Sequence, residues 1–219
     1  MNNDEYPINK FISPDDEVLI AFCRTINPLH SPVSIPCVPH NYPLGLCYWN
    51  AHDYTQKHGG EVVYGWLLSV WPGRYIDAMH HAVVRSSDGK LMDVTPQMPG
   101  YDHPDRSVFL EDNSIKIDLH KKPNIHNRNY LLENCPITRE MLHISDEIVS
   151  LNQQLTHITY KLGYREEVCF NDSHGIPVSS TTNILLNVIS QRTEVQNLFI
   201  ALNDKYEKLG ELIRRLKSL

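Results

Sequence analysis

One segment of the chain, residues 75–94, has the sequence YIDAMHHAVVRSSDGKLMDV and the pattern of a β-hairpin. Its arms contain β-branched and aromatic residues, which are typical of strands. Between the arms, residues 86–89 read SSDG, a common turn sequence that ends in glycine. Because both arms belong to one hairpin, His81 on the first arm and Asp93 on the second are predicted to lie close together.

The length of the turn determines which face of the hairpin Asp93 occupies. A two-residue loop would turn Asp93 away from His81, whereas a five-residue loop would place them directly opposite each other. A three-residue loop, residues 87–89, makes them diagonal neighbours on one face, about 7–8 Å apart at Cα and within side-chain reach. This loop requires a left-handed residue at its last position, where Gly89 lies. We therefore predict that Asp93 pairs with His81, and that the adjacent His80 is a packing residue.

Cys47 supplies a thiol for the same site. The segment Cys47–His58 is predicted to be a helix that ends at Gly59-Gly60, because glycine commonly terminates helices. A cysteine in the first turn of a helix has its thiolate stabilised by unpaired backbone N–H groups and by the helix dipole. In cysteine enzymes an imidazole takes the thiol proton and a carboxylate orients the imidazole. We predict that Cys47, His81 and Asp93 form a catalytic triad.

Three short motifs carry a resemblance to a known family. They are Cys47 at a helix start, the strand His81-Ala82-Val83-Val84 and the strand end Asp93-Val94-Thr95-Pro96. Taken in this order, over residues 41–97, they resemble the transglutaminase-like branch of the papain-like cysteine enzymes. The resemblance implies an α+β core in which the cysteine-bearing helix packs on an antiparallel sheet. It also implies acyl transfer from an amide or thioester of a protein or peptide substrate.

The oxyanion site is where the chain departs from this family. Papain-like relatives carry an oxyanion-hole glutamine before the nucleophile, and this chain has Asn41 there. Asn41 is a candidate oxyanion donor together with the backbone N–H of Cys47, or alternatively a turn residue. Leu46 also replaces the polar or small residue that usually precedes the nucleophile.

The composition of the chain changes near residue 130. All but two of the 14 prolines and all three tryptophans lie in residues 1–130. We expect this part to form the transglutaminase-like catalytic domain, with residues 27–46 as an ordered loop. Residues 131–219 are expected to form a second, helical domain.

Two heptad seams predict the helices of the second domain. The first seam consists of Ile137, Met141, Ile144, Ile148, Leu151, Leu155, Ile158 and Leu162. The second helix is predicted from about Thr182 to the C-terminus, with Val195, Leu198, Leu202, Tyr206, Leu209, Ile213 and Leu216 as its seam. Together they predict an antiparallel, coiled-coil-like helical hairpin. It is either a structural brace or, over residues 137–219, a contact surface for a second copy or a partner protein.

The overall composition excludes some classes of function. With 20 Lys and Arg against 26 Asp and Glu, the net charge of −6 argues against a nucleic-acid-binding surface. Apolar runs are too short for a membrane span. An odd number of cysteines, five, without a signal peptide predicts free thiols and a cytoplasmic location, or export without a classical signal. No glycine-rich phosphate loop or dinucleotide fingerprint occurs, so no cofactor is expected.

Two other classes of function remain open alongside catalysis. A zinc site would use Cys37, His40, Cys47 and His52, and would compete with catalysis for Cys47. Alternatively, the fold is catalytically inactive and serves as an interaction module. Five aromatic residues suit either a substrate groove or a peptide-binding groove. They are Tyr48, Trp49, Tyr64, Trp66 and Trp71. Within the enzyme hypothesis, hydrolysis (protease, deamidase or amidase) and transfer to an amine share the same triad.

Overall fold

The structure, a computed structural model, describes residues 7–38, 41–97, 101–166 and 180–219, the first four residues of the last range by their backbone alone. Over these residues the fold is α+β, with five helices and an antiparallel sheet. The chain forms two compact units. One comprises Ile8–Ile117 with Asn127–Glu133, and the other contains Asp118–His126 and Asn134–Leu219.

The first unit contains two helices and six strands. The helices are α1 (Glu17–Ile26) and α2 (Cys47–His58). The strands are β1 (Val33–Pro36), β2 (Glu61–Trp71), β3 (Tyr75–Arg85), β4 (Leu91–Met92), β5 (Arg106–Glu111) and β6 (Arg128–Leu131). Their order in the sheet is β1-β5-β2-β3-β4, and β6 pairs with β3.

The sheet is nearly closed because its two ends meet at Asp93. Asp93 N donates to Pro36 O at 2.9 Å, and Val38 N donates to Asp93 O at 2.8 Å. These bonds form a parallel bridge between Cys37 and Asp93. The enclosed face carries an apolar cluster formed by Ile35, Val63, Val83 and Phe109. The proline-rich segment 27–46 was expected to be a loop, but it contains β1, which supplies one edge of this closure.

The hairpin between β3 and β4 has the predicted three-residue loop. Arg85 pairs with Leu91, and the next position is closed by Ser86 N donating to Lys90 O at 2.9 Å. Gly89, the last residue of the loop, has a left-handed φ of +84°. The loop prediction is therefore confirmed, and the register continues to Asp93.

Helix α2 has the predicted limits. It begins at Cys47, directly after Leu46, and ends at His58, where Gly59 has a φ of +80°. The first intrahelical hydrogen bond runs from Asn50 N to Leu46 O at 2.9 Å. The backbone N–H groups of the first turn, including that of Cys47, therefore point out of the helix end without intrahelical partners.

The second unit contains three helices. They are α3 (Pro136–Lys161), α4 (Ser180–Ser190) and α5 (Thr193–Lys217). The prediction of one continuous helix from about residue 182 to the C-terminus was wrong. At the break Ser190 Oγ donates to Asn187 O at 2.9 Å, and Arg192 is extended, with φ −68° and ψ 128°.

Helices α3 and α5 lie side by side in opposite directions. Glu140 pairs with Lys208 and Glu147 with Lys205, each at 2.7 Å, so that one helix ascends while the other descends. Seven of the fifteen predicted seam residues are buried: Met141, Ile144, Ile148, Val195, Leu202, Ile213 and Leu216. Tyr206 was predicted to belong to the seam but is exposed, and the other seven are partly buried. No helix in the described ranges is long and apolar enough to cross a membrane.

Candidate active site

The structure brings Cys47, His81 and Asp93 together within the first unit. His81 Nε2 lies 3.0 Å from Asp93 Oδ2. The Cys47 side chain lies close enough to the His81 ring to raise the pKa of His81. Because Asp93 occupies Nε2, Nδ1 is the ring nitrogen available to the thiol. The imidazole thus lies between the thiol and the carboxylate, as the predicted triad requires.

The triad is shielded from solvent. The exposed fractions are 7% for Cys47, 5% for His81 and 1% for Asp93. Burial lowers the pKa of His81, but the charge of Asp93, the Cys47 side chain and hydrogen bonds to both raise it more. The net result is a His81 pKa well above its ordinary value of 6.5. This environment stabilises an imidazolium at position 81.

His80 occupies the opposite face of β3. Its Nδ1 lies 2.9 Å from Tyr48 Oη, and its ring meets Trp66 edge-on with a centroid separation of 5.1 Å. Burial lowers the pKa of His80 to about 4, with an opposing contribution from Asp112 and a further lowering from His81. His80 is therefore a neutral packing residue at physiological pH.

The carboxylate of Asp93 accepts three hydrogen bonds. Thr95 N donates to Oδ1 at 2.9 Å. Ser107 Oγ donates to Oδ2 at 3.1 Å, the same oxygen that contacts His81. Sequence reasoning missed Ser107. The available signal was a small polar residue within the apolar run of β5, which is uninformative until β5 is known to pass beside Asp93.

Asn50 connects the helix that carries Cys47 to the strand end that carries Asp93. It is completely buried, and its Nδ2 donates to Pro43 O at 2.9 Å and to Thr95 Oγ1 at 3.1 Å. Asn50 Oδ1 has no hydrogen-bond partner among the described residues. The sequence places Asn50 on the same side of α2 as Cys47, and the structure adds its link to Thr95.

Two tyrosines lie near the thiol. Burial and the nearby Cys47 both raise the pKa of Tyr64, and the same two causes act on Tyr48. Tyr64 Oη lies 2.8 Å from His52 Nε2. We call Tyr48, Tyr64 and His52 the aromatic wall beside Cys47; the groove expected from the sequence stays a prediction.

The other predicted site residues lie outside this constellation or outside the described residues. Asn41 is in an exposed bend before α2, and its oxyanion role stays a prediction. Of the alternative zinc ligands, Cys37 Sγ donates to Thr95 O at 3.4 Å, whereas His40 lies outside the described residues. Burial and then the charge of Asp93 raise the pKa of Cys37 to about 11. Within the described ranges, no three His, Cys, Asp or Glu side chains form a metal-binding group.

The chain matches no protein-family model, no curated protein and no solved structure with which it was compared. Its function therefore has to be inferred from the geometry of its own residues.

Proposed function

We propose that the protein is a cysteine enzyme that transfers acyl groups, with Cys47, His81 and Asp93 as its triad and a transglutaminase-like or papain-like core. The observation that carries this proposal is the position of His81. Its Nε2 contacts Asp93 Oδ2 at 3.0 Å, and the Cys47 side chain is close enough to raise the pKa of the ring. Nucleophile, base and orienting carboxylate are the parts that cysteine catalysis requires.

The reaction begins with transfer of the Cys47 thiol proton to His81 Nδ1. The thiolate then attacks the carbonyl carbon of an amide or thioester, and the carbonyl electron pair moves to oxygen. Collapse of this oxyanion expels the leaving amine or thiol, which takes the proton from His81. The acyl group remains on Cys47 as a thioester. Water or an amine then attacks the thioester carbonyl while His81 removes the proton of the attacking group, and the carbon–sulfur bond breaks to release Cys47 as the thiolate.

The start of α2 supplies electrostatic support for the oxyanion. Backbone N–H groups at the first helical turn carry partial positive charge, and the helix dipole reinforces it. The backbone N–H of Cys47 is one such donor, and Asn41 is the proposed second donor. A protein or peptide substrate is the class that the resemblance to the papain-like enzymes implies.

An acyl-directed covalent probe tests this proposal. We expect a peptidyl thioester to leave one acyl group on Cys47, detected by intact-protein mass spectrometry and peptide mapping. Cys47→Ala should abolish the adduct. His81→Ala should reduce its rate of formation by at least about a hundredfold, the usual contribution of a general base.

His80→Ala is the matched control, because it removes the neighbouring imidazole from the opposite face of the same strand. We expect it to retain acylation. Equal acylation of the wild type, His81→Ala and His80→Ala would contradict the triad. If the wild type is not acylated at all, the interaction-module hypothesis gains support, and stoichiometric zinc with an unreactive Cys47 would support the metal hypothesis.

We also propose that α3 and α5 are the arms of the helical hairpin. Their opposite directions and the buried seam support this assignment, while the linker residues 167–179 lie outside the described part of the chain. Contact of this hairpin with a second copy or a partner stays a prediction.

A further inference from the structure

A chain of hydrogen bonds reaches the triad from strand β5 and the segment after β4. Gln97 Nε2 donates to Ser107 Oγ. Ser107 Oγ in turn donates to Asp93 Oδ2 at 3.1 Å. Ser107 is completely buried, so its hydroxyl cannot exchange this partner for bulk water. The three side chains form a continuous line that ends at the carboxylate facing His81.

The donors and acceptors in this series of hydrogen bonds follow from the number of protons on each group. A serine hydroxyl has one proton to donate and lone pairs to accept with. Because the Gln97 amide donates to Ser107, the serine proton is left for Asp93 Oδ2. The same Gln97 side chain also hydrogen-bonds to the Cys37 thiol and lowers the pKa of that thiol, against the larger effect of burial.

Asp93 therefore receives only donors. Thr95 N bonds Oδ1, while Ser107 Oγ and His81 Nε2 share Oδ2. A carboxylate oxygen accepts hydrogen bonds and donates none, so the ring nitrogen that faces Asp93 Oδ2 is the one that carries a proton. The arrangement thus favours a His81 ring with its proton on Nε2 and with Nδ1 left for Cys47.

We propose that Ser107 and Gln97 are positioning residues for the triad. They hold the Asp93 carboxylate in a fixed orientation, so that His81 keeps Nε2 toward Asp93 and presents Nδ1 to Cys47. This inference rests on the proposed function, because it assigns these residues to the same site. Neither side chain contacts the thiol of Cys47 or needs to touch the substrate in this role.

The pH dependence of Cys47 alkylation by iodoacetamide tests the inference. We expect Ser107→Ala to slow alkylation by about tenfold near pH 6, the size expected from losing one hydrogen bond to a charged group. The difference should shrink at high pH, where a thiol ionises without help from a base. Ser107→Thr, which keeps the hydroxyl, should restore most of the rate at low pH.

Ser69→Ala is the matched control, because Ser69 is another buried serine of the same sheet. It should leave the pH profile unchanged even if it lowers stability. Gln97→Glu is a second test variant, and it leaves Ser107 in place. Its new carboxylate would accept the serine proton in place of Asp93. The rate of Cys47 alkylation near pH 6 should therefore fall, as for Ser107→Ala.

Two results would overturn the inference. One is a Ser107→Ala profile that superimposes on that of the wild type, and the other is an equal loss of rate at every pH, which a general structural defect produces. Failure of the proposed function has a different appearance. In that case wild-type Cys47 would react near pH 6 no faster than Cys47 in His81→Ala, whatever residue stands at position 107.

Discussion

His81 and Asp93 are joined by a contact of 3.0 Å between Nε2 and Oδ2, and a three-residue loop is the reason that they meet. Gly89 accepts the left-handed conformation at the end of that loop, with φ +84°. A strand that is shifted by one residue presents its side chains on the opposite face. A loop of different parity would therefore have turned Asp93 away from His81.

Replacing Asp93 by asparagine removes the charge of the triad carboxylate and keeps the size of the side chain. Asp93→Asn also brings an amide N–H toward the donors Ser107 and His81. We expect the pKa of His81 to fall, because the charge of Asp93 is a main cause of its elevation. Alkylation of Cys47 near pH 6 should slow by about a hundredfold or more.

Asp112→Asn is the control for that substitution. Asp112 is a buried carboxylate of the same unit, and its Oδ2 accepts from Trp66 Nε1 at 2.9 Å. This change should reduce stability and leave alkylation near the wild-type rate. Equal reactivity of Asp93→Asn and wild type would show that the carboxylate does not serve His81.

His80 and His81 should affect the pH dependence of the free energy of unfolding in opposite ways. His81 has a raised pKa in the folded state, so its contribution is complete below its ordinary pKa of 6.5 and is lost as pH rises through the raised value. His80 has its pKa lowered to about 4, so stability is lost as pH falls from 6.5 toward 4. For His80 the loss is on the order of 2–3 kcal/mol over that interval.

Urea unfolding of His80→Gln and His81→Gln at several pH values measures these slopes. Relative to wild type, His80→Gln should flatten the acid side of the stability curve, and His81→Gln should flatten the alkaline side. If both variants flatten the same side, the assignment of a neutral and a charged histidine is wrong.

A buried aspartate outside the triad should make the fold more stable in acid. Burial raises the pKa of Asp77 to about 7, although two hydrogen bonds from Asn127 Nδ2 oppose the shift. Between pH 3.8, the ordinary pKa of aspartate, and about pH 7, the folded state therefore binds more protons than the unfolded state. The free energy of unfolding consequently falls as pH rises through this range. Above it, Asp77→Asn should be more stable than wild type by on the order of 2 kcal/mol. Urea unfolding at several pH values measures this difference. If the free energies of unfolding of wild type and Asp77→Asn change in parallel from acid to neutral pH, the prediction is contradicted.

Gly65 lies beside His81 in the sheet and directly against strand β5. The two residues pair directly across β2 and β3. A Cβ at position 65 would lie 2.1 Å from Leu110 O and 2.6 Å from Phe109 Cζ, distances that force the backbone of β5 or the core to move. We expect Gly65→Ala to lower the free energy of unfolding by about 3 kcal/mol or more and to slow Cys47 alkylation.

Gly89→Ala provides the comparison for Gly65→Ala. A Cβ at position 89 meets nothing within 4 Å, so its cost is limited to the left-handed backbone, about 1–2 kcal/mol. Urea unfolding of both variants should therefore rank Gly65→Ala as the more damaging one. The reverse order would indicate that β2 and β5 are not packed as described.

Local sequence signals predicted the elements that carry the triad. Glycine at position 59 marks the end of α2, and glycine at position 89 determines the loop between β3 and β4. Each of these signals acts over a few residues, and the elements concerned are neighbours in the chain. The limits of α2 and the face shared by His81 and Asp93 could therefore be derived before the structure was known.

Long-range pairing accounts for most of what the sequence did not reveal. β1 lies in a proline-rich segment, and it is a strand because β5 pairs with it in register from Val33–Phe109 to Pro36–Arg106. Ser107 reaches Asp93 only through that arrangement. The break between α4 and α5 was missed for a different reason, because Ser190 and Arg192 lack the proline or glycine that usually announces a helix end.

The rate of Cys47 alkylation near pH 6, compared between wild type, His81→Ala and His80→Ala, tests the central claim most directly. We predict rapid modification of Cys47 in the wild type and in His80→Ala, and a decrease of at least about a hundredfold in His81→Ala, since only His81 forms the thiolate–imidazolium pair. Equal rates in all three proteins, with Cys47 reacting as an ordinary buried thiol, would contradict the account.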